Sequence, residues 1–138
     1  MKSKQYAALP FRKNQNRLEV LLITTRNKGR WSVPKGWPIE RTTPHGTAAI
    51  EAFEEAGLLG KIAAVEVGRF KHRKLRKKQE VKCEVRIFPL KVTNEKSDWP
   101  EKGQRRRRWV SHYAAAQLVH KQGLKRAIEN LGRDRSGR

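Results

Sequence analysis

Three glutamates, Glu51, Glu54 and Glu55, stand at i, i+3 and i+4 within the stretch TPHGTAAIEAFEEAGL, Thr43 to Leu58. At about 100° per residue they share one face of a helix. Like charges at this spacing repel one another, so the cluster calls for a cation. The four histidines are scattered and no paired His/Cys set has zinc spacing, which leaves a hard, oxygen-preferring ion such as Mg²⁺ or Mn²⁺. Such an ion keeps several waters, shares phosphate oxygens with a substrate and lowers the pKa of a bound water. An acidic triplet standing alone is more often a solvated helix face, so the surrounding chain decides its meaning.

The elements that must position these carboxylates are legible in turn. Thr43 is a helix cap, Pro44 fits the first helical turn, and Gly57 is placed to end the helix in a left-handed conformation. Ala49, Ala52, Phe53 and Ala56 are expected to form the apolar stripe opposite the glutamates. Gln5 to Phe11 and Arg17 to Thr25 read as strands joined by a turn at Asn14-Gln15-Asn16. Trp31 to Val33 is a short extended piece. Lys35-Gly36-Trp37-Pro38 is a tight loop whose glycine lets backbone approach a ligand. Ile62 to Phe70 is expected to be a strand, and the basic run Lys71 to Lys78 a hairpin tip. Val81, Cys83, Val85 and Ile87 alternate in a strong strand over Glu80 to Val92. Arg105 to Val110 is a short strand, with Arg105 and Arg107 on one face and Arg106 and Arg108 on the other. Ser111 caps a helix to His120, and Gly123 to Leu131 forms another. The order ββ, helix, ββ, strand, helix predicts an α/β (α+β) domain with helices on the faces of a mixed sheet. Residues 1–132 form one domain and 133–138 a flexible basic tail.

The 138 residues carry 33 Lys and Arg against 13 Asp and Glu, a formal charge of +20. A field of that sign attracts nucleic acid, anionic surfaces or highly phosphorylated small molecules. An acidic metal site inside so basic a chain implies a polyphosphate substrate, its reacting phosphates on the metal and the others on Lys and Arg. No apolar run is long enough for a membrane span, and no signal-peptide core is visible near Met1. A single cysteine, Cys83, excludes an internal disulfide, and the expected location is cytoplasmic.

Gly36 to Leu58 resembles the Nudix box, G-x5-E-x7-R-E-U-x-E-E-x-G-U, with U an aliphatic residue. Gly36, Glu51, Glu54, Glu55, Gly57 and Leu58 match in register, and Ala52 stands at the first U. The resemblance implies a Nudix α/β/α sandwich and hydrolysis of a nucleoside diphosphate derivative or a related pyrophosphate. It implies that the Gly36 carbonyl, Glu51, Glu54 and Glu55 are metal ligands. Of the two candidate catalytic residues Glu54 and Glu55, Glu55 is the choice to orient or deprotonate the attacking water.

One branch is similar over most of the chain, Ala7 to Leu131: the diphosphoinositol and diadenosine polyphosphate hydrolases. The matching pieces are Leu9 to Arg12, Val20 to Leu22, Arg30-Trp31, Val33-Pro34, Lys71 to Arg73 and Arg105 to Trp109. This resemblance implies phosphate-binding roles for Arg12, His72, Arg73 and one of Arg106 or Arg107. Lys35 and Trp37, flanking Gly36, are further substrate-binding candidates, Trp37 by stacking on a base.

Thr42 and Ile50 stand where the motif has a glutamate and an arginine, and Glu40 lies two residues too early to replace the former. In the family these two residues commonly pair and steady the helix, so their joint absence removes a salt bridge and not the metal site. Three readings stay open: a pyrophosphohydrolase of an anionic small molecule, a pyrophosphohydrolase of RNA 5′ ends, and a degenerate domain that binds polyanions or RNA without cleaving. The expected assembly is a monomer or homodimer.

Overall fold

The computed structural model describes residues 2–136. Eight strands form one mixed sheet: β1 (Lys2–Asn14), β2 (Arg17–Thr24), β3 (Trp31–Ser32), β4 (Lys35–Gly36), β5 (Leu58–Ile62), β6 (Gly68–Arg76), β7 (Gln79–Glu95) and β8 (Arg107–Ser111). Three helices, α1 (Pro44–Ala56), α2 (His112–Leu118) and α3 (Gln122–Ser136), complete the chain. The sheet runs β3-β2-β1-β7-β5; β4 pairs with β1, β6 with β7 and β8 with β2. Its parallel pair is β1 with β7, in register Tyr6↔Arg86 and Ala7↔Ile87.

Alternation along β1 and β2 sends successive side chains to opposite faces, and both faces are covered. Ala7, Leu9, Val20 and Leu22 join Val85 and Ile87 under α2 and α3, where Ala115, Leu124, Ile128 and Leu131 close the layer. Ala8, Leu21, Ile23, Phe88 and Leu90 meet Ala48, Ala52 and Ala56 of α1 on the other side. The small side chains of α1 let its backbone lie close to the sheet. The result is the expected α/β/α sandwich.

The ends of α1 follow the sequence. The Thr43 hydroxyl accepts from the Gly46 N–H at 3.0 Å, Pro44 occupies the first turn, and Gly57 closes the helix at φ 70°. The buried face, however, is Thr47, Ala48, Ala52, Glu55 and Ala56, with Ala49 and Phe53 only half-buried. The helix is turned so that Glu55 points inward with the alanines instead of outward with Glu54.

Three further expectations are corrected. Ile62 to Phe70 is not one strand: β5 ends at Ile62, β6 begins at Gly68, and Val65 between them is exposed. Both strands pair with β7, and the gap falls opposite Pro89, which has no N–H to donate to a ladder. The basic run is mostly strand, Lys71 to Arg76, with the turn confined to Lys77 and Lys78 at φ 50° and 63°. Lys35-Gly36 is not loop but β4, paired with Ala7 and Tyr6. At the C-terminus α3 continues to Ser136, so residues 133–136 of the expected tail are helical; Gly137 and Arg138 lie outside the described residues.

Candidate active site

β4 and α1 set the site. Gly36 lies against the side chain of Glu51: a Cβ at position 36 would overlap the Glu51 carboxyl group. Glu51 and Glu55, one helical turn apart, hydrogen-bond to each other beside a cavity of about 820 Å³. Burial pushes the Glu55 carboxyl up to about 8; its hydrogen bond to Glu51 and the Glu51 charge add to this, while Arg105 and Lys35 oppose it. Burial likewise raises Glu51, and the charges of Glu54 and Glu101 reinforce the rise. The pair therefore holds a proton at neutral pH, on Glu55, in the absence of a cation.

Lys35 faces this pair. Burial lowers its ammonium to about 8 against the attraction of Glu55, and Lys74, Arg105 and Lys121 push it the same way as burial. The Arg105 Nε stands 3.7 Å from Glu55 Oε1 and 3.6 Å from Glu101 Oε1. Both Arg105 Nε and Glu101 Oε1 are buried without a hydrogen bond, so these are ion pairs waiting for closer partners. Glu101 is held over the helix by its own N–H, which donates to the Glu54 carbonyl at 3.0 Å.

Of the candidate residues, Lys35, Gly36, Trp37, Glu51, Glu55, His72 and Arg73 line the cavity. Trp37 is covered by the Arg76 guanidinium, 4.2 Å from the ring centre. The His72 ring meets Gln5 Oε1 at 2.9 Å, and burial lowers it to about 4, helped by Lys35, Lys121 and Lys74. It is thus a neutral imidazole at pH 7. Arg73, on the exposed side of β6, pairs with Glu80 at 2.9 Å. Glu54 does not line the cavity.

Three residues proposed for phosphate binding are employed elsewhere. Arg12 lies at the far end of β1, where it pairs with Glu19 at 2.8 Å and Glu95 at 3.3 Å and stacks on Trp109. Arg107 caps the C-terminus of α1, donating to the Ala56 carbonyl at 2.6 Å while its guanidinium lies on Trp99. Arg106 projects from the other face, 5.3 Å over the Trp31 ring, at the cavity rim. Alternation in the arginine run was right in outline: Arg105 and Arg107 both reach toward α1. The residues that were missed are Gln5, Glu101, Lys74 and Lys121. Gln5 carried a signal, being the polar residue of a strand otherwise aliphatic and aromatic and buried between two layers.

No family model matches the chain. Nudix hydrolase 12, mitochondrial, of Arabidopsis thaliana is 34% identical over 120 residues, which cover 84% of this chain and 59% of that protein. Diphosphoinositol polyphosphate phosphohydrolase 3-beta of Bos taurus is 32% identical over 108 residues, 77% of this chain and 62% of the relative. The chain thus spans about three fifths of the length of the curated relatives it matches. Among solved structures, a C. elegans Ap4A hydrolase binary complex superposes with TM-score 0.71 at 16% identity over 99% of both chains. The NUDIX domain of Shewanella oneidensis NrtR complexed with ADP ribose gives 0.72 at 14% identity, covering 97% of this chain and 88% of that one. With the fold, the curated sequence relatives and the placement of Gly36, Glu51 and Glu55 in agreement, this chain belongs to the Nudix hydrolase family.

Proposed function

We propose that this chain hydrolyses a P–O–P bridge in a small, highly anionic molecule, using Mg²⁺ or Mn²⁺ held by Glu51, Glu55 and the Gly36 carbonyl. The observation that carries this reading is the cavity itself, which sets two hydrogen-bonded carboxylates against Lys35 and Arg105. The residues fit a hard cation. Their raised pKa values express unrelieved negative charge, and the missing side chain at Gly36 brings main chain and carboxylate together. Among the described residues no three of His, Cys, Asp and Glu already converge on a point. Mg²⁺ is commonly held by one or two carboxylates, with waters and substrate phosphates completing its shell.

When bound, the cation supplies positive charge to the phosphoryl oxygens and lowers the pKa of a coordinated water. Glu55, the more enclosed carboxylate, orients that water and takes its proton. Lys35 and Arg105 neutralise charge on the leaving phosphate, and low polarity around them strengthens that effect. Glu54, outside the cavity, serves the outer edge of the site. Trp37 offers a flat surface to a base or an inositol ring once Arg76 moves off it. The named substrates of the relatives, diphosphoinositol polyphosphates and Ap4A, are the first to try. A screen of these against nucleotide sugars and 5′-triphosphorylated RNA, with and without Mg²⁺ or Mn²⁺, tests the reading. Phosphate release from a small polyphosphate only with metal is expected; metal-independent binding of RNA with no product would replace it with the non-enzymatic reading.

A further inference from the structure

Away from the carboxylates, the cavity is lined by a group of donors that the hydrolytic chemistry leaves unused. Gln5 is fully buried in β1; its Oε1 is taken by His72, and its Nε2 has no hydrogen-bond partner. A buried amide N–H left unpaired is costly, so its presence at a cavity wall points to a ligand that completes it. Three ammonium groups surround the same spot. Lys35 from β4, Lys74 from β6 and Lys121 ahead of α3 all act on His72, and Lys74 and Lys121 also act on Lys35. Neither Lys74 nor Lys121 is in an ion pair among the described residues. Cations brought together with an unpaired N–H donor and no carboxylate between them form a receptor for a tetrahedral oxyanion.

We propose that Gln5, His72, Lys74 and Lys121 form a subsite for a non-reacting phosphoryl group, with Lys35 between this subsite and the Glu51/Glu55 pair. It rests on the hydrolase reading for its purpose, since it requires a substrate with a phosphate beyond the bridge that is cut. It does not rest on that reading for its existence, because it needs neither metal nor turnover. His72 presents a neutral ring between Gln5 and the arriving oxyanion. The groups packed around it are Gln5 of β1, Lys35 of β4, Phe70 and Lys74 of β6, Cys83 of β7 opposite in register, and Lys121. An added dianion there reverses the local field and draws a proton onto the imidazole.

The test is titration of the full chain with inorganic tripolyphosphate in excess EDTA, by calorimetry and by NMR of the His72 ring. Lys121→Ala and Gln5→Ala are each expected to weaken binding about tenfold. Lys61→Ala, which removes an equal charge beside β5 at a distant groove, is expected to leave it within about twofold. The titration midpoint of His72 is expected to rise from about 4 on saturation. Equal effects of Lys121→Ala and Lys61→Ala, or an unmoved His72, would overturn the subsite and leave the hydrolase reading intact. Because Gln5 lies in the core, Lys121→Ala at a half-buried position carries the test if Gln5→Ala does not fold. Tripolyphosphate binding with these properties in a chain that cleaves nothing would keep the subsite and remove the hydrolase reading.

Discussion

At the scale of single residues, the site is defined by a conflict that a cation resolves. Glu55 is held near pKa 8 by burial and by its hydrogen bond to Glu51. Its folded pKa lies above the ordinary 4.5, so between those values the folded chain binds more protons than the unfolded one. Metal-free stability therefore falls as pH rises from about 4.5 to 8, and the proton must leave when metal binds. Glu55→Gln keeps the shape and removes the titration. The variant is expected to melt higher than the wild type at pH 8 in EDTA, to gain little from added Mg²⁺ or Mn²⁺, and to lose at least about a hundredfold in kcat. Thermal melts with and without metal, alongside turnover assays, check all three. A variant that still gains stability from metal as the wild type does would remove Glu55 from the ligand set. The same scale shows where sequence reading reached its limit. Helical spacing put Glu51, Glu54 and Glu55 on one face, yet a face is wide enough that the inward rotation of α1 separates Glu55 from Glu54. Arg12 and Arg107 were singled out for charge, but their partners, Glu95 and the Ala56 carbonyl, are brought near by the sheet from 83 and 51 residues away. Separations of that size leave no local pattern.

At the scale of elements, the chain states its punctuation more clearly than its pairings. The cap at Thr43, the stop at Gly57 and the alternation in β7 are local chemistry and were legible. The break between β5 and β6 was not, because it is imposed by Pro89 on a neighbouring strand. Gly57 also does more than end a helix: the Trp99 ring occupies the place its side chain would take. Trp99 is part of the loop that carries Glu101 and Arg105 to the cavity, so helix end and active-site loop are fastened together. Gly57→Ala must accept φ 70° and displace that ring. It is expected to lose at least about 2 kcal/mol of stability, from the left-handed strain and the displaced contact together, and to lower kcat by shifting Arg105. Denaturant unfolding and steady-state kinetics measure the two effects. The missing motif pair is a contrasting case. Thr42 binds the Glu40 carbonyl through its hydroxyl and Ile50 is exposed, so α1 is held by its cap and alanine face without a salt bridge. Installing Thr42→Glu with Ile50→Arg is expected to change stability by less than about 1 kcal/mol and kcat/KM by less than about threefold; a large gain in activity would mean that the native helix is badly set.

At the scale of the whole molecule, a formal charge of +20 surrounds a site built on carboxylates. The two signs have separate tasks. The carboxylates need a cation, while the field of the remaining chain concentrates anions at the cavity mouth, where Arg26, Lys28, Arg30 and Arg73 stand. Charges at the mouth act on approach and are screened within about 8 Å at physiological salt. Charges in the cavity, such as Arg105 and Lys35, are enclosed and far less exposed to screening. Encounter and chemistry should then respond differently to ionic strength. With metal saturating, raising KCl from about 50 to 500 mM is expected to lower kcat/KM about tenfold for a polyphosphorylated substrate while kcat changes less than about twofold. Steady-state kinetics across that range decides the matter. An equal fall in both constants would mean that salt reaches the enclosed pairs, and the division between an attracting surface and a shielded interior would be lost. A kcat/KM insensitive to salt would assign the surface charge to some other partner, with the cavity lysines alone recognising the substrate.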